Sequence, residues 1–348
     1  MGSQKFITLV AAVVIAVGGF LFVRGRHQSD VLRVVTWSNY LPESSLAKFT
    51  QETGIRVELS YISSNEELLA KLKAGVTGYD VIQPSDYMVR QMVGLGMLAP
   101  LDHSLLKNLI HIDSYYRDLP YDKGFKFSIP FNWGTTGIAI NSEKVNVGEN
   151  VGWDILFKSP DPKHTSFLDD MREVFAAAFR RKGKSVNSTD PASLEEARAT
   201  IAQARSQILV FTSEPKPLLL SGEVNIAHIY SVDGLAAAAE NPKIKYFIPK
   251  EGGVVWTDNL AIPKASARVA DAHRFIEFFL DPENALVVVK DKWLASPNKE
   301  VVARIPDGER KNKGLYPPDD VKRGLTFLED IGETLLQLNR LWTDLKSS

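Results

Sequence analysis

Residues 32–87, LRVVTWSNYLPESSLAKFTQETGIRVELSYISSNEELLAKLKAGVTGYDVIQPSDY, decide the fold class, because short apolar runs alternate there with amphipathic segments. The run at 32–36 is β-branched and apolar, which is typical of a buried strand. Similar runs at 55–59 and 80–82 predict two further strands. Strands at this spacing, with helices between them, predict a parallel sheet and therefore an α/β fold.

The two helices of this unit have recognisable start and stop signals. The first is predicted to begin near Pro42 and to end at Gly54. The second is predicted to begin at a capping box formed by Ser64 and Glu67 and to end at Gly75. These signals place each helix between two strands, as the α/β interpretation requires.

Two segments directly follow predicted strands. Trp37 comes after the first strand, and the turn at 85–87 comes after the third. In open parallel sheets, ligands bind beyond the carboxyl ends of the strands. We therefore expect Trp37 and this turn to lie on the same rim of a binding cleft.

The rest of the chain continues the α/β theme less regularly. Helices are predicted at 172–182, from a capping box at Ser193 and Glu196, at 267–280, at 282–290 and from about 318 onward. Strands are predicted at 209–211, 225–229 and 246–248. Neither an internal repeat nor a low-complexity linker is visible in the sequence. We therefore expect two lobes that are joined by several crossing strands, as in a hinged clamp.

Length and composition narrow the class of protein. The chain has 348 residues, which suggests two lobes rather than one small domain. Its formal net charge of -1 gives no electrostatic reason to expect nucleic acid as a partner. With no cysteine, the sequence excludes disulfides, thiolate metal sites, Fe–S clusters and thiol nucleophiles.

The N-terminal residues 1–30 predict export. Positions 6–23 carry no charge, and basic residues lie on both sides of the run, Lys5 before it and Arg24 after it. Such a segment is either a secretory signal peptide or a single membrane anchor. Both interpretations place the rest of the chain outside the cytoplasm, and the sequence leaves open whether the segment is cleaved.

The sequence lacks three common motifs of enzyme chemistry. It has no phosphate-binding loop, no dinucleotide-binding fingerprint after a strand and no nucleophile elbow. Its six histidines are never closer than eight positions, so no local zinc pair exists. The adjacent Tyr115 and Tyr116 are similar to the paired phenolates of ferric-ion binders, although neighbouring loop tyrosines are more often packing residues. Nothing in the sequence demands an enzyme or a cofactor.

Five segments carry a more specific signal. In chain order they read TWSNYLPESSLAKFTQETGIRVELSYISSNEELLAKLKAG, GYDVIQPSDYMV, FSIPFNWGTTGIAIN, DDMREVF and IPKEGGVVWTDNLAIP. In order and spacing they resemble the periplasmic spermidine/putrescine-binding proteins of ABC importers, over nearly all of residues 31–348. The resemblance implies a type II periplasmic-binding-protein fold, in which two α/β lobes close over a polyamine in the cleft between them.

The resemblance also implies which residues bind the ligand. They are Trp37, Ser38, Asn39, Tyr40, Ser85, Tyr87, Asp170, Glu173, Tyr230, Asp233, Trp256, Asp258 and Tyr316. Three positions differ from the pattern. Tyr230 stands where the family usually has tryptophan, Asn39 where putrescine binders have a carboxylate, and Leu328 near a glutamine of spermidine binders.

The chemistry of these residue types agrees with a polyamine ligand. Aromatic rings attract both a methylene chain and an ammonium group, at about 0.5–2 kcal/mol for each cation–π contact. Carboxylates bind ammonium groups through charge-assisted hydrogen bonds, which are roughly twice as strong as neutral ones. Taken singly, each residue has a structural alternative: Asp170, for example, could simply cap the helix that follows it.

The functional expectation is therefore an extracytoplasmic, monomeric polyamine-binding protein that delivers its ligand to an inner-membrane permease by hinge closure. Three alternatives remain open: a polyamine sensor for a signalling partner, a ferric-ion binder, and a hydrolase that uses paired carboxylates. The sequence predicts no cofactor, metal or nucleic acid. Four candidate carboxylates exceed what a diamine needs, so spermidine is expected to be preferred over putrescine, with Asp170 binding the additional ammonium.

The lobe boundaries follow from the expected crossings of the chain near 137–139 and 257–260. The first lobe is predicted to comprise residues 31–137 and about 260–302. The second is predicted to comprise residues 138–259 and about 303–348.

Overall fold

The computed structural model describes residues 31–38, 40–75 and 78–347. The strands are β1 (Val31–Trp37), β2 (Arg56–Ile62), β3 (Val81–Ile82), β4 (Ser128–Asn141), β5 (Thr165–Leu168), β6 (Ile208–Thr212), β7 (Ile226–Tyr230), β8 (Ile244–Phe247), β9 (Gly253–Ala261) and β10 (Leu325–Thr326). The helices are α1 (Glu43–Thr53), α2 (Asn65–Lys73), α3 (Asp86–Gly94), α4 (Ser114–Arg117), α5 (Asp154–Phe157), α6 (Met171–Arg181), α7 (Pro191–Ala204), α8 (Pro215–Ser221), α9 (Ser231–Glu240), α10 (Val269–Leu280), α11 (Pro282–Lys292), α12 (Lys299–Arg304), α13 (Asp307–Arg310), α14 (Asp319–Lys322) and α15 (Thr334–Ser347). Short 3-10 turns lie at His103–Leu105, Lys107–His111 and Arg205–Gln207.

The predicted α/β unit at the start of the described chain is confirmed. β1 pairs in parallel with β2 on one side and with β3 on the other. α1 starts directly after Pro42 and ends at Gly54, whose φ of 74° is the left-handed conformation that glycine adopts easily. The capping box at α2 is only half formed, since the Ser64 side chain accepts from Glu67 N at 3.1 Å while the Glu67 carboxylate accepts from Ser63.

Two other sequence predictions need correction. α7 begins at Pro191, because Asp190 caps it by accepting from Ser193 N at 2.9 Å; the predicted start at Ser193 was wrong. The C-terminal part is not continuously helical, since α14 is followed by β10, which pairs with β9. Local helix signals did not reveal this pairing because its partner lies far away in the sequence.

One mixed sheet runs through the molecule in the order β2-β1-β3-β9-β4-β7-β5-β6. β9 is antiparallel to β3 and to β4, and the 14-residue β4 changes partners along its length. Its first part, to Thr135, pairs with β9, and its second part, from Thr136, pairs with β7. β4 therefore connects the two halves of the sheet.

Two large groups of buried apolar side chains lie on either side of this change of partners. The first comes mostly from residues 32–131 and 260–294. The second comes mostly from residues 138–208, and α15 adds Leu338 and Leu345. β4 contributes Ile129 to the first group and Ile138 to the second.

The membrane question can be examined only where the structure is described. No helix within those ranges has both the length and the apolar character that a bilayer crossing needs. The segment predicted to be a signal peptide or an anchor, residues 1–30, lies outside the described residues.

Candidate ligand-binding site

A cavity of about 280 Å³ lies between the two halves of the sheet. It collects most of the residues that the sequence predicted for a ligand site. They are Trp37, Ser38, Tyr40, Ser85, Tyr87, Asp170, Glu173, Tyr230, Asp233, Trp256 and Asp258. Asn39 lies outside the described residues. We call this space the ligand cavity.

The elements explain why residues distant in sequence meet here. Trp37 is the last residue of β1, and Ser85 lies between β3 and α3. Asp170 lies between β5 and α6, and Tyr230 ends β7 where α9 begins. Each of these side chains thus stands at the carboxyl end of a strand, where ligands of α/β sheets bind.

The alternation of side chains along β9 divides the interior into two spaces. Val254, Trp256 and Asp258 face the ligand cavity. Val255 and Thr257 line a second cavity of about 1210 Å³. Successive side chains of a strand point to opposite faces, so the second cavity lies behind β9 as seen from the ligand cavity.

Tyr316 is found in the second cavity and not in the ligand cavity. Its ring packs edge-to-face against Trp133, with 5.9 Å between the centroids. Its hydroxyl accepts a long hydrogen bond of 3.4 Å from Ser296 N. The structure therefore does not bring Tyr316 together with the other predicted ligand-binding residues, because the segment that carries it packs behind β4 and β9.

Asp258 forms the centre of a buried polar network in the ligand cavity. Ser85 Oγ donates to Asp258 Oδ1 at 2.6 Å, and the Tyr40 hydroxyl also donates to this carboxylate. Asn65 holds Ser85 in place from both sides, since it accepts from Ser85 N and donates to Ser85 Oγ, each at 3.0 Å. Burial raises the pKa of Asp258 to about 7. A cation placed beside Asp258 would stabilise its ionised form.

A second acidic group lies at the start of α6. The Tyr230 hydroxyl donates to Asp170 Oδ2 at 3.0 Å, and Glu173 N donates to Asp170 Oδ1 at 3.2 Å. Asp170 is therefore a helix cap and a cavity residue at the same time. Burial raises the pKa of Asp170, and burial followed by the charge of Asp170 raises the pKa of Glu173.

Aromatic rings form much of the remaining wall. Tyr230 and Trp256 meet edge-to-face with their centroids 6.0 Å apart, and Trp37 lies 6.5 Å from Tyr40. Asp233, in the first turn of α9, adds a further carboxyl, whose pKa burial raises to about 6. The cavity thus combines apolar faces with buried acids.

Three functional candidates were missed in the sequence. Asp86 lines both cavities, and burial raises its pKa to about 7. Glu66 accepts from the Tyr87 hydroxyl at 3.1 Å, and burial raises its pKa to about 7 as well. Arg172 packs against the Tyr87 ring. Asp86 adjoins two predicted site residues and Arg172 directly precedes Glu173, so both positions were available as a signal. Glu66 comes close to the site only through tertiary packing.

The charged side chains described in the lining of the ligand cavity are all acidic. The carboxyl groups around the ligand cavity belong to Glu67, Asp86, Asp170, Glu173, Glu214, Asp233 and Asp258. Among the described residues, no lysine, arginine or histidine lines it. Glu67 is paired with Lys71 and Glu214 is exposed, whereas four of the others are buried. Unpaired buried anions are costly, so these four acids are complementary to a ligand with several positive charges.

Comparisons with known proteins agree with this geometry. A family model described as bacterial extracellular solute-binding protein matches residues 44–317. The spermidine/putrescine-binding periplasmic protein 1 of Haemophilus influenzae is 34% identical over 323 residues, covering 92% of this chain and 90% of that protein. The putrescine/cadaverine-binding protein of Pseudomonas aeruginosa is 32% identical over 337 residues, covering 91% and 94%.

A solved structure shows the same fold. It is the substrate-binding protein of a spermidine/putrescine ABC transporter from Streptococcus pneumoniae, with a TM-score of 0.77 and 30% identity, covering 92% of this chain and 99% of that one. This agreement over nearly the whole length confirms the predicted periplasmic-binding-protein fold. The chain belongs to the bacterial extracellular solute-binding protein family.

Proposed function

We propose that this protein binds a polyamine of the spermidine and putrescine class outside the cytoplasm and delivers it to the permease of an ABC importer. The observation that carries the proposal is the ligand cavity, in which aromatic walls surround buried carboxyl groups without a basic residue among the described lining. A polyamine offers the complement, since its methylene chain fits aromatic faces and its ammonium groups fit carboxylates. The names of the relatives from Haemophilus influenzae and Pseudomonas aeruginosa support the same ligand class.

We infer that binding proceeds by hinge closure of two lobes. The proposed lobes comprise residues 31–137 with about 260–302, and residues 138–259 with about 303–348. The change of partners within β4 supports a hinge there, and the ligand cavity takes Ser85 from the first half and Asp170 from the second. A ligand that contacts both lobes favours the closed state over the open one.

Spermidine is the ligand that we propose to be preferred. Asp86, which lines the cavity and is buried, adds to the four carboxyl groups identified from the sequence, which increases the excess of acid over a two-ammonium ligand. A third ammonium would offset one more buried anion. In this proposal Asp170 binds the additional ammonium, together with the Tyr230 hydroxyl that already contacts it.

The proposed binder acts without chemistry on its ligand. We propose that it works as a monomer in the periplasm, exported by residues 1–30, whether or not that segment afterwards tethers it to the inner membrane. The paired carboxyls that a hydrolase would need are Asp170 with Glu173 or Asp233 with Asp258. Their place among aromatic walls is better explained by a cationic ligand.

Calorimetric titration tests this function. The full chain is titrated with spermidine, putrescine, cadaverine, spermine, agmatine and Fe³⁺, and the ligand is recovered afterwards for mass spectrometry. We expect one saturable site for a polyamine, recovered unchanged, and no saturable binding of Fe³⁺. Absence of polyamine binding, or recovery of a cleaved product, would contradict the proposal.

A further inference from the structure

Arg172 is a buried cation beside the ligand cavity. It lies in the first turn of α6, between Asp170 and Glu173, and is only 2% exposed. Its guanidinium carbon lies 5.2 Å from the centroid of the Tyr87 ring, which belongs to the first apolar group of the molecule. Arg172 therefore reaches across from the second half of the sheet to a residue of the first.

The hydrogen bonds of Arg172 go to neutral oxygens. Its Nη2 donates to the Glu329 carbonyl at 3.0 Å and to Asn187 Oδ1 at 3.3 Å. Asn187 in turn donates to the Phe327 carbonyl at 2.9 Å. These contacts fix the segment that places Leu328 in the cavity wall. Because none of these hydrogen bonds goes to a carboxylate, the positive charge of Arg172 is not paired directly and acts on the surrounding carboxyl groups over a longer distance.

The charge of Arg172 acts on four carboxyl groups, which we call the acidic cluster. Burial raises the pKa of Glu66, Asp86, Asp170 and Glu173, and the positive charge of Arg172 opposes that rise in each of them. The hydroxyl of Tyr87 donates to Glu66, so Tyr87 contacts both the cation and this acid. Arg172 thus offsets part of the negative charge of the cluster, which the ligand would otherwise have to offset.

We propose that Arg172 sets how many ammonium groups the ligand cavity prefers, by neutralising part of the acidic cluster from within the protein. The inference rests on the proposed polyamine function and adds a specificity-determining residue to it. Removing the charge leaves the cluster more negative. A ligand with three ammonium groups then gains more than a ligand with two, because the added attraction acts on each positive charge.

The test is the ratio of spermidine affinity to putrescine affinity, measured by titration at pH 8, where the acids are more fully ionised than at neutral pH. In Arg172→Gln we expect this ratio to rise about tenfold relative to wild type, which corresponds to about 1.4 kcal/mol. Loss of the contacts to Asn187 and Glu329 would weaken both ligands together and leave the ratio unchanged. The ratio therefore separates a charge effect from a structural one.

Two variants serve as matched controls. Arg172→Lys keeps the charge but loses the planar fork, so its ratio is expected to stay within threefold of wild type. Arg180→Gln removes a cation from the same helix, where the side chain donates to the Gly324 carbonyl at 3.2 Å, away from the acidic cluster. Its ratio is also expected to stay unchanged.

A variant with the opposite expected change in the affinity ratio keeps the test decisive if Arg172→Gln does not fold. Glu66→Gln removes one acid of the cluster and can still accept from Tyr87, so the ratio is expected to fall. The inference is overturned if wild type binds polyamine but neither Arg172→Gln nor Glu66→Gln changes the ratio in the stated direction. It is also overturned if Arg172→Lys shifts the ratio as much as Arg172→Gln. A wild type that binds no polyamine contradicts the proposed function itself.

Discussion

At the scale of single residues, Asp258 is the side chain on which affinity should depend most. It is 2% exposed and bound by both Ser85 and Tyr40. Removing a buried charged side chain that pairs with a ligand typically costs about 2–5 kcal/mol of binding free energy. We therefore expect Asp258→Asn, which keeps the shape of the side chain, to weaken polyamine binding in a calorimetric titration by at least about thirtyfold.

The exposed Asp118 provides the control for this substitution. Asp118→Asn removes the same formal charge from the surface and should bind polyamine as wild type does. Affinity within threefold of wild type for Asp258→Asn would show that this carboxylate makes no central ionic contact.

His228 should make the fold sensitive to acid. The ring is fully buried, neither nitrogen has a hydrogen-bond partner, and its neighbours are the rings of Trp153 and Phe167. Burial lowers the pKa of His228 from 6.5 to about 3. Between pH 6.5 and 3 the unfolded chain is therefore protonated at His228 while the folded protein is not. The contribution of His228 to the free energy of unfolding is full above pH 6.5 and is lost as the pH falls from 6.5 to 3.

Denaturant unfolding at several pH values measures this effect. This one group adds a slope of up to about 1.4 kcal/mol per pH unit below pH 6.5. His228→Phe, which fills similar space without a titrating group, should lose that part of the slope. An unchanged pH dependence in His228→Phe would contradict the assignment.

At the scale of elements, β4 and β9 must approach closely to hold the aromatic wall in place. A Cβ atom added at Gly134 would lie 2.5 Å from ring atoms of Trp256 and 2.6 Å from Ser231 Oγ. Gly134→Ala should therefore displace the Trp256 ring and weaken polyamine binding by about tenfold, with about 1–3 kcal/mol lost from stability. Titration and thermal unfolding of the same sample measure both effects.

Gly148 offers the comparison, because an added Cβ there meets nothing within 4 Å. Gly148→Ala should keep wild-type affinity. If Gly134→Ala binds polyamine as tightly as Gly148→Ala does, the close contact between β4 and the Trp256 ring has no role in the site.

The helices and strands also show how much of the fold could be predicted from the sequence. The unit of β1, α1, β2, α2 and β3 was predicted because periodicity and capping signals are local. The cap of α7 was misplaced by three residues, since Asp190 and Ser193 both carry capping side chains and only the helix start distinguishes them.

The site was predictable to the extent that its residues lie at strand ends or in segments that resemble the family. The ligand cavity contains Trp37, Ser85 and Asp258 as expected. Arg172 could not be assigned, because its importance depends on packing against Tyr87 across the molecule. The face on which Tyr316 would lie depends on the course of the chain after α12, which no local pattern specifies.

At the scale of the whole molecule, we expect the protein to become more compact when it binds its ligand. If the two lobes close on a polyamine, saturating spermidine should lower the radius of gyration in small-angle scattering. The thermal midpoint should rise as well, because a ligand at one hundred times its Kd adds about 2.7 kcal/mol to the free energy of unfolding. A radius of gyration that does not change at saturation would contradict the hinged clamp, even if the midpoint rises.

A crystal structure of the protein grown with spermidine would show directly whether a polyamine occupies the ligand cavity. We expect an extended ligand whose methylene chain packs on Trp256 and Tyr230, with one ammonium within hydrogen-bond distance of Asp258 and another near Asp170. An empty ligand cavity at a concentration that saturates binding in solution, or a spermidine molecule bound only in the second cavity behind β9, would contradict this expectation.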